Sequence, residues 1–201
     1  MQTCNIVWKL WHGNKTLPLT FPDSWVVKKA AMNDAAAISD EGIHRAIMNP
    51  LGTSRLKDLA RNKNRAVIAI DDLTRPTETY RILPFLLAEL EEAGVEKHDI
   101  LILVSLGAHR PLTRDDLEKK VGKDILETYR IYNHSCFENL EYIGTTVKGT
   151  PLHVNRFFLQ ADVRIGISFL VPHLLAGYSG GAKIVLPGMC GIDTLEYNHK
   201  S

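Results

Sequence analysis

The sequence predicts an α/β fold: a mostly parallel, Rossmann-like sheet with flanking helices, preceded by a small β-rich N-terminal segment. Three observations carry this. Residues 66–70, 100–104 and 163–169 are short, predominantly apolar runs, the pattern of strands buried on both faces of a parallel sheet. The first two are separated by a segment of helical character, and strand, helix, strand within about 35 residues is a βαβ unit. Each run leads straight into a polar loop of unusual composition.

The elements follow in order. Ile6-Val7-Trp8 and Thr16–Phe21 flank the turn signal Gly13-Asn14, and Trp25-Val26-Val27 follows Pro22-Asp23-Ser24, so all three apolar runs read as strands. Residues 39–49 and 54–62 read as helices, with Ser39 and Ser54 as their caps. Residues 76–93 read as a helix that Gly94 ends, and Pro84 inside it predicts a kink or a late start. Helix signals run through 113–128. Arg130–Asn133 and Leu140–Thr145 are weaker strand candidates, and a glycine-rich turn after 163–169 leads to a helix from about Gly181. The expected division is a β-rich segment over 1–30 and an α/β core over 31–201.

Composition narrows the function. Of 201 residues, 45% are apolar and 23% charged, an ordinary globular balance that excludes disordered, collagen-like and coiled-coil chains. Lys plus Arg number 24 and Asp plus Glu 23. The basic excess that neutralises phosphates is missing, which argues against nucleic acid as a partner. No run approaches the ~20 apolar residues of a membrane span, so no membrane is expected. A signal peptide is not visible at the N-terminus. Cys4, Cys136 and Cys190 are far apart and odd in number, which argues against a disulfide framework or zinc ribbon. A cytoplasmic protein is expected.

The chemistry is concentrated in the three loops. Asp71-Asp72-Leu73-Thr74-Arg75-Pro76-Thr77 follows the first run, Gly107-Ala108-His109-Arg110-Pro111 the second, and Pro172-His173 through Lys183 the third. In a parallel sheet these loops leave the carboxyl edge, outside which ligands bind. Asp72, Arg75, His109, Arg110, His173 and Lys183 are thereby gathered at one rim. Taken singly, each has a plainer reading. Asp72 or Thr74 could cap a helix beginning at Pro76, Arg75 could be a solvated arginine, and either histidine could be structural. Two histidines at equivalent loop positions favour acid–base work, for which imidazole suits neutral pH.

In the third loop, glycines let backbone N–H groups approach an anion, so a phosphate could sit at Ser179-Gly180-Gly181. The spacing is not that of a P-loop. A cation in the first turn of a helix meets positive potential, which would favour a neutral, nucleophilic amine at Lys183. His199 alone reads as a surface histidine. His12, His44, His98, His134 and His153 fall in no metal-ligand spacing, and Cys190 reads as a small buried residue.

These blocks, with PHLLAGYSGGAKIVLPG and Asn198-His199, resemble the N-terminal part of the nickel-pincer lactate racemase family in order and approximate spacing. The resemblance implies a nickel-pincer nucleotide, a pyridinium mononucleotide whose two sulfur-bearing arms hold nickel, attached covalently to Lys183. It implies His199 as the nickel ligand and His109 and His173 as an acid–base pair on opposite faces of the substrate carbon. Arg75 would hold the substrate. Asp72, Thr74, Tyr178, Ser179, Gly180 and Gly181 would line the cofactor site. The implied reaction is racemisation of a lactate-like 2-hydroxy acid by hydride abstraction and return. Soft sulfur and imidazole donors suit nickel in a square-planar arrangement. The family's chains are about twice as long, so residues 1–201 are expected to be its N-terminal cofactor-binding and catalytic domain, without the C-terminal domain, and inactive alone. Two other readings use the same residues: a metal-dependent hydrolase on Asp72, His109 and His173, and a phosphate- or nucleotide-binding module on the glycine turn.

Overall fold

In a computed structural model describing residues 1–8, 11, 13, 15–30 and 35–200, the chain divides into two units, Met1–Ser39 and Asp40–Ser201. In the first unit, β1 (Gln2–Val7) and β2 (Thr16–Phe21) pair antiparallel, from Gln2 opposite Phe21 to Val7 opposite Thr16. Strand β2 stands where its apolar run predicts it, whereas β1 takes only Ile6 and Val7 of the run Ile6-Val7-Trp8 and begins at Gln2. Asn14 of the expected turn and His12 lie outside the described residues. Trp25-Val26-Val27, expected as a third strand, is not one. The chain turns at Pro22, whose carbonyl accepts from Trp25 N at 3.0 Å. The Trp25 carbonyl is then taken by the Gln2 side chain at 3.1 Å, and the Trp25 ring tilts over Phe21. With its first polar groups satisfied locally, the segment joins no ladder.

The second unit begins with α1 (Asp40–Met48), directly after Ser39, and α2 (Leu56–Leu59). The latter is one turn rather than the expected 54–62. Arg55, not Ser54, precedes it, without a side-chain cap. Next come β3 (Ala66–Asp71), α3 (Thr79–Glu92) and β4 (Ile100–Ser105), the βαβ unit read from the sequence. Helix α3 starts late, at Thr79, and keeps Pro84 inside it. Val95 N bonds back to Leu90 O at 3.0 Å past Gly94, the six-to-one bond of a glycine-terminated helix. The single helix expected over 113–128 is two, α4 (Arg114–Val121) and α5 (Lys123–Thr128), broken at Gly122 with φ +86°. Thr113 and Asp116 form a reciprocal cap at the start of α4.

Strand β5 (Arg130–Asn133) is followed by a hairpin of β6 (Leu140–Thr145) and β7 (Pro151–Asn155). The sequence reading missed β7, whose proline, histidine and asparagine mask its two apolar residues. The chain continues through α6 (Arg156–Leu159) and β8 (Val163–Ile167) to a small pair, β9 (Pro172–His173) and β10 (Gly177–Tyr178). The helix expected from Gly181 is a single 3-10 turn, Gly181–Ile184, and the true helix is α7 (Ile192–Lys200). The dipole argument for a neutral amine at Lys183 therefore has no helix behind it.

The four parallel strands lie in the order β5-β4-β3-β8. Period-two alternation sends their side chains to two faces. Ala66, Ile68, Ile70, Ile100, Ile102 and Val104 pack beneath Leu83, Leu87 and Leu90 of α3 and Val121 of α4. Val67, Ala69, Leu101 and Leu103 pack on the opposite face against Ile184, Met189, Phe157 and Phe158. Each fully buried aliphatic side chain contributes about 1.5–3 kcal/mol. The chain steps outward from β3 to β4 to β5, then returns to β8 on the other side of β3. That reversal opens a crevice above the carboxyl ends of β3 and β8, the place where such sheets bind ligands.

Candidate active site at the carboxyl edge of the sheet

A cavity of about 330 Å³ occupies this crevice. Asp72, Thr74, Arg75, His109, His173, Ser179, Gly180, Lys183 and His199 all line it. The three loops after β3, β4 and β8 thus meet as their strand ends predict, and α7 adds His199. Tyr178 and Gly181 do not line the cavity, and Tyr178 is largely exposed. Arg110, placed at the rim by the sequence, instead bonds Asp116 Oδ2 at 2.8 Å and also lies outside the lining.

The first loop is held from below. Lys120 of α4 is completely buried, and its Nζ donates to Asp71 Oδ1 at 2.7 Å, Asp72 O at 3.1 Å and Thr77 O at 3.0 Å. Burial pushes the Lys120 pKa down, opposed by Asp71. The other Asp71 oxygen accepts from Thr77 Oγ1 at 2.6 Å and from Phe169 N at 2.9 Å. One carboxylate therefore ties the first loop, α4 and the start of the third loop together. The sequence reading missed this role of Asp71 and missed Lys120 altogether. The signal was present: Lys120 follows Leu117 by three residues and precedes Val121, on the buried stripe of α4.

Asp72 is buried but does not cap α3. Its Oδ1 accepts from Thr74 N at 3.0 Å and Thr74 Oγ1 at 2.5 Å, and its Oδ2 meets His109 Nδ1 at 2.7 Å. Burial pushes the Asp72 carboxyl up, but the hydrogen bonds from Thr74 and His109 together outweigh it and hold the pKa below its ordinary value. The group is therefore ionised at neutral pH and only accepts, so His109 Nδ1 carries the proton. Arg75, half-buried, reaches only the backbone and hydroxyl of Thr74, at 3.4 and 3.3 Å, and forms no ion pair among the described residues.

Two close approaches set the third loop. Gly180 has φ +78°, and a Cβ there would stand 2.7 Å from Phe169 O. At Gly188 a Cβ would stand 2.0 Å from Ser105 Oγ and 2.5 Å from Ile184 O. Only glycine lets these backbones pass. Ser105 Oγ donates to Ile184 O at 2.6 Å, and Gly107 N donates to Gly188 O at 2.8 Å, binding the second loop to the segment after Lys183. Lys183 Nζ makes no hydrogen bond or ion pair with any described residue. His173 Nδ1 accepts from Leu175 N and Ala176 N, both at 3.2 Å, inside the turn between β9 and β10.

His199 lies in the last turn of α7, where its Nδ1 donates to Leu195 O at 2.7 Å. The helix is anchored on the β6–β7 hairpin. Thr194 Oγ1 donates to Pro151 O at 2.7 Å and accepts from His153 N at 2.9 Å. Among the described residues, no group of three or more His, Cys, Asp or Glu is arranged to hold a metal. His109 and Asp72 are engaged with each other, and Asp72, His109 and His173 do not stand as a three-ligand set among the described residues.

A family model described as the lactate racemase N-terminal domain matches residues 12–201. The chain is 35% identical over 196 residues to a lactate racemase of Thermoanaerobacterium thermosaccharolyticum, covering 94% of this chain and 46% of that protein. It is 35% identical over 176 residues to a lactate racemase of Lactiplantibacillus plantarum, covering 87% of this chain and 41% of that one. The chain thus spans less than half the length of the curated relatives it matches. Among solved structures, the lactate racemase apoprotein from T. thermosaccharolyticum superposes with a TM-score of 0.78 and 32% identity, over 98% of this chain and 46% of that one. A protein from Thermotoga maritima superposes at 0.66 with 25% identity, over 81% of this chain and 41% of that one.

Proposed function

Because the chain belongs to the lactate racemase N-terminal domain family, we propose that it is the cofactor-holding and acid–base portion of a racemase or epimerase of a lactate-like 2-hydroxy acid, working in the cytoplasm with a nickel-pincer nucleotide on Lys183. The observation that carries this reading is the shared cavity, in which Arg75, His109, His173, Lys183 and His199 converge from four separate segments. No helix among the described residues is long and apolar enough to cross a membrane. The three cysteines are unpaired, as expected in a reducing compartment.

The residues present fit such a cofactor. Lys183 offers a primary amine in the cavity with no described partner, available for covalent attachment. His199 gives its Nδ1–H to a backbone carbonyl, which leaves Nε2 of the neutral ring with its lone pair and fixes the ring as a hydrogen bond behind a metal-ligating histidine does. A pincer brings its own sulfur and carbon donors, so one protein ligand suffices. Ser179 and Gly180 line the cavity wall nearest Lys183 in sequence and suit the mononucleotide phosphate.

The bound cofactor supplies the acceptor and donor of the hydride. The chain supplies the remainder. Arg75, with no carboxylate partner among the described residues, is available to take the substrate carboxylate bidentately. An imidazole accepts the hydroxyl proton as the carbonyl forms, and an imidazole returns a proton to oxygen when the alcohol is restored. Racemisation exposes both faces of one carbon, which accounts for two histidines. A second domain, matching the portion of the relatives that this chain does not span, would complete the substrate contacts.

The test is intact-mass analysis after exposure of the protein to the cofactor-synthesis machinery of a racemase-producing host. A mononucleotide-sized addition mapped to Lys183, absent in Lys183→Ala with unfolding temperature unchanged, is expected. No addition under conditions that load a full-length relative, or addition elsewhere, refutes the reading.

A further inference from the structure

Three histidines face one cavity, and hydrogen-bond chemistry fixes where each carries its proton. The partner of His109 Nδ1 is an ionised carboxylate and that of His199 Nδ1 is a carbonyl oxygen. Neither can donate, so both rings carry Nδ1–H, and in the neutral ring each presents a bare Nε2. The partners of His173 Nδ1 are two backbone N–H groups. Neither can accept, so Nδ1 must be the bare nitrogen and the proton must sit on Nε2. No described residue bonds Nε2 of any of the three rings.

We propose that the two acid–base histidines are not equivalent: His109 is the resting base of the site, and His173 is its resting hydrogen-bond donor, held so by the turn at 174–176. This rests on the racemase reading and adds to it a direction. A proton leaving the substrate hydroxyl breaks its O–H bond and forms N–H at His109 Nε2, giving an imidazolium whose second N–H stays on Asp72. His173 in its resting form cannot accept a proton at Nε2, since that nitrogen already carries one. It donates a hydrogen bond from Nε2 to an anionic or carbonyl oxygen of the hydroxy acid. It becomes a base toward the opposite face only after the turn gives up both bonds to Nδ1 and the proton moves to that nitrogen. Asp72 is thus a positioning residue for His109, and the backbone of Leu175 and Ala176 plays the opposite part for His173.

The experiment is a long-range 1H–15N correlation spectrum of the ring nitrogens, on the cofactor-free 201-residue chain labelled with 13C and 15N, at a pH of about 9, more than two units above the ordinary histidine value of ~6.5. Rings are assigned through their Cβ correlations, so no variant has to fold. The expected pattern is Nε2–H for His173 and Nδ1–H for His109 and His199. A His173 ring with its proton on Nδ1, or shared between both nitrogens, overturns the proposal. The Lys183 adduct is measured separately, so loss of the tautomer pattern leaves the racemase reading standing, and absence of the adduct leaves the tautomer assignment standing.

Discussion

Replacing Lys120 by Met is the perturbation whose size follows most directly from the structure. The methionine keeps most of the buried stem and removes the ammonium. Three oxygens then each lose a donor: Asp71 Oδ1, Asp72 O and Thr77 O. Asp71 keeps only the Thr77 hydroxyl and Phe169 N–H, both on its other oxygen. Breaking a buried ion pair by removing one partner costs about 3–5 kcal/mol, because the other charge stays buried and unpaired. The two carbonyls keep other donors, Asp72 O from Arg75 N at 3.2 Å and Thr77 O from Thr79 N at 2.8 Å, so the unpaired Asp71 charge dominates the loss. We expect Lys120→Met to destabilise by about 3–5 kcal/mol, a large share of the 5–15 kcal/mol typical of a domain. Adding Asp71→Asn removes the stranded charge and should recover a substantial part of the loss. Urea unfolding at pH 7 of the wild type, both single variants and the double variant gives the cycle. A single-variant loss below about 1 kcal/mol, or a double variant no more stable than Lys120→Met, would refute the account of Lys120 as the support of the first loop.

Two further predictions test the loops around it. Gly188→Ala drives a methyl into Ser105 Oγ and the Ile184 carbonyl, and since backbone cannot swing aside we expect a loss of about 3 kcal/mol or more; calorimetry showing an unchanged unfolding temperature would contradict this. Asp116, held down to about 2 first by Arg110 and further by Thr113 against the upward push of burial, contributes stability that is fully present above its unfolded value of ~3.9 and is lost as pH falls through about 2. With the exposed Arg110 partner screened by solvent, the wild type should lose on the order of 1 kcal/mol more than Asp116→Asn between pH 5 and pH 2, and parallel urea titrations at the two pH values would expose the opposite.

The parallel core was legible because buried strands leave a signature that tertiary context seldom overrides. Runs 66–70 and 100–104 could hardly pack otherwise, and their loops had to share an edge. Meeting at that edge follows from topology, which is why most of the site's lining could be named without coordinates. Elements whose stability is local to a turn or shared with a distant segment were less legible. The Trp25 segment is extended in composition but satisfied by its own turn. Strand β7 exists because β6 offers it a ladder, not because its residues favour extension. The helix after Gly181 shrank to one turn because the chain must pass Ser105 at Gly188, a constraint between residues far apart in sequence. Lys120 stayed hidden for a related reason. A lysine reads as solvent-facing unless its oxygen partners, on another element, are already known. Tyr178 and Gly181 come with the glycine turn and the family resemblance, and the sequence of a turn does not fix which of its residues face a cavity.

The anchoring of α7 on the β6–β7 hairpin has a consequence for how this molecule can change. In the proposed reading, proton handling is organised from the sheet: Asp72, His109 and the turn around His173 all hang from strand ends. The aim of the His199 ring is set chiefly from elsewhere, by Thr194 on Pro151 and His153 of a hairpin that contributes nothing to the cavity wall. Placement of the imidazole and management of protons are therefore separately adjustable. Drift in the hairpin can retune where His199 Nε2 sits while every strand-end loop keeps its residues. The first and third strand-end loops can in turn vary without touching the bonds that anchor the helix.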